Sequence, residues 1–189
     1  MYLIRVSSST HLGKGHISRC KRIRNKIKSK VIWFIDKGTK EIYFKLSKDE
    51  VIEEYDSSST SELEKYLILK DTTAILIDMP LLQKKNLEKI SSIKPTILLV
   101  DKYFNHHKTL RICFHPIVSK ESNFISGFKY LPFLKKKRKF QKNSSKINIL
   151  ISFGGIDSNR LTEKVIKTFK EIFFSKLLLS DDYRINIVV

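Results

Sequence analysis

The sequence predicts an α/β fold, a parallel β-sheet covered by helices on both faces. Short runs of nearly unbroken apolar character (Val31–Asp36, VIWFID; Ala74–Asp78, AILID; Thr96–Asp101, TILLVD) read as strands buried on both sides. They alternate with segments whose apolar residues recur at helical spacing, as Ile17, Cys20, Ile23 and Ile27 do. Each of the three runs also ends in an acid, Asp36, Asp78 or Asp101. That places carboxylates at the carboxyl edge of the sheet, where open α/β sheets bind ligands. The expectation is a Rossmann-like domain over residues 1–131.

Taken in order, Met1–Ser7 is a first strand, Ser8–Lys14 a turn, and Gly15–Lys30 a helix. Val31–Asp36 follows as a strand, and Glu41–Leu46 as a short third one. Ser61–Leu69 has a helical pattern with Ser61 as N-cap. After the strand Ala74–Asp78, Leu81–Ile93 is helical, and Thr96–Asp101 and Leu110–Phe114 are strands before a loop. Phe124, Phe128, Tyr130 and Phe133 are expected to pack between that loop and the sheet, and Trp33 to lie in the core. Residues 132–146 are polar and basic and read as a linker. The pattern then restarts at 147–189: strand Ile147–Phe153, a glycine turn Gly154–Asn159, helix Leu161–Phe174, and strand Arg184–Val189. One strand–helix–strand unit leaves apolar faces with little to pack against, so this second Rossmann-like domain is expected to be incomplete.

Composition narrows the function classes. The chain has 189 residues, 41% hydrophobic and 30% charged, as soluble globular proteins do. No run approaches the ~18 apolar residues of a membrane span, and the N-terminus lacks the basic and apolar regions of a secretory signal. The only cysteines, Cys20 and Cys113, form no CxxC pair, which disfavours a disulfide scaffold or zinc module and makes a reducing cytoplasm the expected location. With 37 Lys+Arg against 19 Asp+Glu the formal net charge is +18. Such an excess invites nucleic acid as a partner. Here it is spread along the chain together with many isoleucines, and its densest block, Lys135–Lys139, falls in the linker. A solvated linker is the preferred reading, and nucleic acid is not an expected partner.

The sharpest local feature is His11-Leu12-Gly13-Lys14-Gly15-His16-Ile17-Ser18-Arg19-Cys20. It follows a strand and opens a helix, where glycines let the backbone approach a phosphate or sugar and the helix dipole favours an anion. His16 falls in the first helical turn. A dinucleotide fingerprint would need a third glycine where Ser18 stands, although Asp36 sits where a ribose-binding acid is expected. A Walker loop is excluded by the spacing. A plain tight turn with His16 as a helix cap is a further reading, and Arg19 could reach a phosphate or simply cover the helix surface.

Arg5-Val6-Ser7-Ser8-Ser9 followed by Leu12–Cys20 resembles the N-terminal motif of the UDP-2,4-diacetamido-2,4,6-trideoxy-β-L-altropyranose hydrolases of pseudaminic acid biosynthesis. Val100-Asp101 with His106-His107, Gly127-Phe128-Lys129-Tyr130-Leu131, and Ile149–Asn159 with its Gly154-Gly155-Ile156-Asp157 turn resemble later segments of that family in the same order. The chain departs from the family pattern at Ser7, where an Asp is common, at Asp78-Met79-Pro80, and at Phe114-His115-Pro116. The resemblance implies a GT-B-type pair of Rossmann-like domains, a UDP-sugar substrate, and hydrolysis to UDP and free sugar with inversion at the anomeric carbon. His16 matches the catalytic histidine that activates water. Arg5, Ser9, Gly13, Gly15, Arg19, Asp78, Asp101, Gly154, Gly155, Asp157 and Asn159 are the expected substrate-binding residues. No metal or cofactor is called for, and His106-His107 alone reads as a solvated loop. In the family the uridine and ribose pockets lie mainly in the later C-terminal domain, so low activity is expected of this form. The same architecture also serves glycosyltransferases, and an inactive remnant is the remaining alternative.

Overall fold

A computed structural model of the chain describes residues 1–12, 14–45, 47–69, 71–101, 106–132, 147–152, 160–175 and 183–188. The chain divides into two compact units, Met1–Leu134 and Lys135–Val189. In the first, the elements run β1 (Tyr2–Val6), α1 (Gly15–Arg24), β2 (Val31–Asp36), α2 (Lys40–Tyr43), β3 (Glu50–Glu54), α3 (Ser61–Leu69), β4 (Ala74–Asp78), α4 (Lys84–Ile93), β5 (Thr96–Val100), β6 (Leu110–Cys113) and β7 (Phe124–Ser126). The seven strands form one sheet in the order β3-β2-β1-β4-β5-β6-β7, and every pairing is parallel. This is the Rossmann-like α/β architecture.

Strand geometry explains the unbroken apolar runs. Alternate side chains point to opposite faces, and each face carries its own core. Leu3, Ile32, Phe34, Ile75, Ile77 and Leu98 pack with Leu63 and Leu67 of α3 and Leu87 and Ile90 of α4. Ile4, Val6, Trp33, Ile35, Leu76 and Leu99 pack on the other face with Ile17 and Cys20 of α1 and with Phe44. Helices following β1 and β2 therefore cover one face, and those following β3 and β4 the other. The strand order reverses between β1 and β4, which opens a crevice at their carboxyl ends.

Several expectations are corrected. Glu41–Leu46 is not a strand: Lys40–Tyr43 forms a short helix, and the third strand is Glu50–Glu54. Its acids hid it, but β3 lies at the sheet edge, where exposed charge is tolerated and blocks further pairing. The strand β7 falls in the expected loop. Ser61 is the first residue of α3 rather than its cap. The buried Glu54 accepts from the N–H groups of Glu62 (3.1 Å) and Leu63 (2.8 Å), a cap delivered from the end of β3. The helix begun at Gly15 ends at Arg24. Phe124 is buried, but Phe128 and Tyr130 are exposed instead of packed. Phe133 lies outside the described residues. Gly127 takes φ +119°, ψ 160°, a region open essentially to glycine alone, as the chain turns out of β7.

The second unit contains β8 (Ile147–Ser152), α5 (Leu161–Ser175) and β9 (Tyr183–Val188). β8 and β9 pair in parallel from Ile147↔Tyr183 to Ser152↔Val188. Among the described residues no helix is long and apolar enough to cross a membrane.

One buried ion pair pins the segment after β1. Arg5 has no exposed surface, and its Nη1 donates to Asp36 Oδ1 at 2.9 Å. Nη1 also donates to the backbone carbonyls of Val6 (2.7 Å) and Phe34 (3.4 Å), Nη2 to that of Asp56 (2.7 Å) and Nε to that of Ser59 (3.1 Å). Asp36 Oδ2 accepts from the N–H groups of Ser8 and Ser9, both at 2.7 Å. Asp36→Ala would strand a buried guanidinium and two amides, and is expected to destabilise the protein by about 3–5 kcal/mol. Urea denaturation checks this, and a loss below about 1 kcal/mol would contradict it.

Candidate functional site

At the crevice between β1 and β4, four side chains from three segments meet. β4 ends in Asp78, level with Val6 on β1. Asp101 directly follows β5. His16 and Arg19 lie three residues apart in the first turns of α1, a spacing that puts both on one helix face.

His16 Nδ1 lies 2.7 Å from Asp78 Oδ1. Arg19 grips the same carboxylate with two prongs, Nε to Oδ2 at 2.5 Å and Nη2 to Oδ1 at 2.5 Å. Its remaining nitrogen, Nη1, donates to Asp101 Oδ1 at 2.7 Å. The guanidinium also stands over the Phe114 ring, 5.3 Å from the centroid. Cys20 Sγ completes the surroundings at 3.5 Å from Asp78 Oδ2.

This geometry fixes the tautomer of His16. A carboxylate only accepts hydrogen bonds, so Nδ1 must carry the proton that Asp78 receives. Arg19 Nη2 lies 3.0 Å from the same Nδ1. Two protonated nitrogens do not hydrogen-bond, so that approach is a contact only. In the neutral ring this leaves the lone pair on Nε2, which has no hydrogen-bond partner among the described residues.

Burial by itself would raise the Asp78 carboxyl. Hydrogen bonds from Arg19 and then His16, with their charges, outweigh it and hold Asp78 below the usual carboxylate range. Burial likewise opposes charge on Arg19, but its bonds to Asp78 and Asp101 raise it above the ordinary guanidinium value. Burial, reinforced by the Asp78 charge, pushes the Cys20 thiol well up, so it stays protonated.

The exposure of the four is graded. The Asp78 side chain is 1% exposed, His16 13%, Arg19 17% and Asp101 55%. A pocket of about 400 Å³ opens beside them, its polar lining formed by these four residues and its apolar lining by Met79, Pro80, Leu82, Leu87, Leu98, Leu99 and Val100. The pocket thus offers both polar and apolar surface.

Of the residues expected at the site, the structure thus brings His16, Arg19, Asp78 and Asp101 together. Arg5 and Ser9 gather around Asp36 instead. Arg5 is sealed in the interior, and the Ser9 N–H is taken up by Asp36. Asp36 is itself 4% exposed and also accepts from Ser57 Oγ at 2.6 Å, so it has no room for the ribose hydroxyls of a dinucleotide. His16 is not a helix cap, since its ring is turned to Asp78. Gly15 opens α1 without a positive φ, and a Cβ added there meets nothing within 4 Å. Neither backbone nor packing demands a glycine at that position. His106 is buried rather than solvated, with Nδ1 3.2 Å from Thr109 Oγ1. Gly13, Gly154, Gly155, Asp157 and Asn159 lie outside the described residues. Phe114 and the leucines of the pocket were not anticipated as site residues. Their only sequence signal is apolarity, which marks core equally well.

Comparison with protein-family models and with curated proteins finds no match for this chain. What fold and site define is an α/β protein with a histidine–carboxylate pair on a pocket at the switch point of its sheet.

Because the folded Asp78 carboxyl titrates below its unfolded value, it contributes stability above about pH 4 that is lost as pH falls through the depressed folded value. Wild type is therefore expected to lose stability more steeply below about pH 4 than Asp78→Asn. Parallel acid-unfolding curves for the two proteins would contradict this.

Proposed function

We propose that the chain is a nucleotide-sugar hydrolase in which His16 is the general base, acting on a UDP-linked diacetamido-trideoxy sugar. The observation that carries the reading is the His16–Asp78 hydrogen bond, which in the neutral ring puts the lone pair on Nε2, beside a pocket at the carboxyl edge. The substrate class rests on the resemblance of the segments around Arg5–Cys20, Val100–His107 and Ile149–Asn159.

The chemistry runs as a single displacement. Nε2 takes a proton from water as the water oxygen attacks the anomeric carbon. The bond from that carbon to the diphosphate oxygen breaks, and its electron pair leaves with UDP. A positioned base of this kind contributes about 10²–10⁴ in rate. Charge balance favours the proton transfer. Arg19 against Asp78 and Asp101 leaves one net negative charge in the cluster, which the proton gained by His16 cancels.

The start of α1 suits the leaving group. The first intrahelical bond runs from Ser18 N–H to the Lys14 carbonyl, and no side chain caps the helix. The N–H groups of Gly15, His16 and Ile17 precede that bond, and unpaired amides at a helix start favour a diphosphate. A hydrogen in place of a side chain at Gly15 keeps the approach open. An acceptor hydroxyl replacing water would make the same arrangement a glycosyltransferase, and adding acceptor to the assay separates the two.

Release of UDP from the diacetamido-trideoxy nucleotide sugar, measured with the full chain, tests the reading. His16→Ala is expected to lower the rate about 10²–10⁴-fold with thermal unfolding unchanged. In the same assay Gly15→Ala is expected to lose activity without losing stability, since Ala is the better helix former. Equal rates for wild type and His16→Ala, or no release from wild type, would overturn it.

A further inference from the structure

Asp78 presents a charge problem that two neighbours could solve. Its side chain is 1% exposed, and a buried carboxylate requires both hydrogen bonds and a compensating charge. His16 could meet the charge only by taking a second proton, which would occupy Nε2 and remove the base. Arg19 meets it permanently, because a guanidinium does not deprotonate in proteins.

From this geometry we infer that Arg19 is a positioning residue: it supplies the counter-charge of Asp78 and thereby leaves His16 neutral, with Nδ1–H on the carboxylate and Nε2 unprotonated. The inference rests on the reading of His16 as base and adds a residue that acts through it. The two-pronged contact at 2.5 Å on each oxygen orients the carboxylate as well as neutralising it. Asp101 on Nη1 and the Phe114 ring hold the guanidinium from two further sides. Arg19 cannot then follow a ligand phosphate without releasing Asp78, so its part is to set the state of His16 and not to bind the substrate's anion.

The charged and titratable groups facing this carboxylate, among the described residues, are few. α1 contributes His16, Arg19 and the Cys20 thiol, and the segment after β5 contributes Asp101. On β1 the partner level with Asp78 is the apolar Val6, and Ser7 N–H donates to the Asp78 backbone carbonyl at 3.0 Å. Arg19 is thus the one permanent cation of that set. With it removed, His16 is the remaining group able to neutralise Asp78, and the ring takes up a second proton.

Nitrogen-15 NMR of the His16 ring in the full-length chain at pH 7.5 reads this directly and needs no substrate. Wild type is expected to show a protonated Nδ1 and a pyridine-type Nε2. In Arg19→Gln both nitrogens move to protonated-type positions. Arg19→Lys restores the wild-type pattern, because its ammonium keeps the charge while losing the fork. A neutral ring in Arg19→Gln, or a doubly protonated ring in wild type or in Arg19→Lys, overturns the inference. Arg19→Lys and wild type keep the test decisive should Arg19→Gln fail to fold. UDP release that does not depend on His16 would remove the base reading while leaving this charge assignment standing, so the two failures are distinguishable.

Discussion

The Asp78 carboxylate is the constraint on which the rest of the site depends. It ends β4 beside β1, where the sheet reverses its strand order, and it is closed off from solvent. Everything arranged around it answers the cost of burying that charge: the fork of Arg19, the Nδ1–H of His16 and the thiol of Cys20. Because these donors come from one face of α1, the carboxylate also locks that helix against the end of β4. A requirement of stability therefore sets the geometry of the His16 ring.

Asp36 and Asp78 end strands on either side of β1 and take opposite roles. Asp36 is enclosed by Arg5, the Ser8 and Ser9 amides and Ser57, all directed inward. It fixes the loop that leads into α1. Asp78 is as deeply buried, but its two principal partners reach the surface of a pocket, and Asp101 beyond them is more than half exposed. The difference lies in where the partners stand, since the residue type and its place at the strand end are the same. One acid holds the frame, and the other faces outward through its neighbours.

Much of the fold was legible because the central strands β1, β2, β4 and β5 are buried on both faces and must be apolar throughout. The edge was not, because β3 carries acids and β7 is three residues long, and neither needs an apolar run to pair with one neighbour. The meeting of His16, Arg19, Asp78 and Asp101 was legible in part. A glycine loop after the first strand and acids at strand ends are topological signals, and a parallel sheet brings them to one edge. Arg5 was misplaced because a lone arginine in a strand gives no sign of its partners. Only the tertiary structure shows that Asp36 and the carbonyls of Val6, Phe34, Asp56 and Ser59 consume it.

The central claim is that the Asp78 carboxylate, by accepting from Nδ1–H, fixes the tautomer of His16, the proposed base. Its most direct test is Asp78→Asn, assayed for UDP release alongside wild type, with far-UV circular dichroism confirming the fold. An amide can donate as well as accept at Nδ1, so the ring is no longer held in one tautomer. Asp78→Asn is expected to fold, with UDP release reduced about 10²–10⁴-fold. Release at the wild-type rate from folded Asp78→Asn would contradict it.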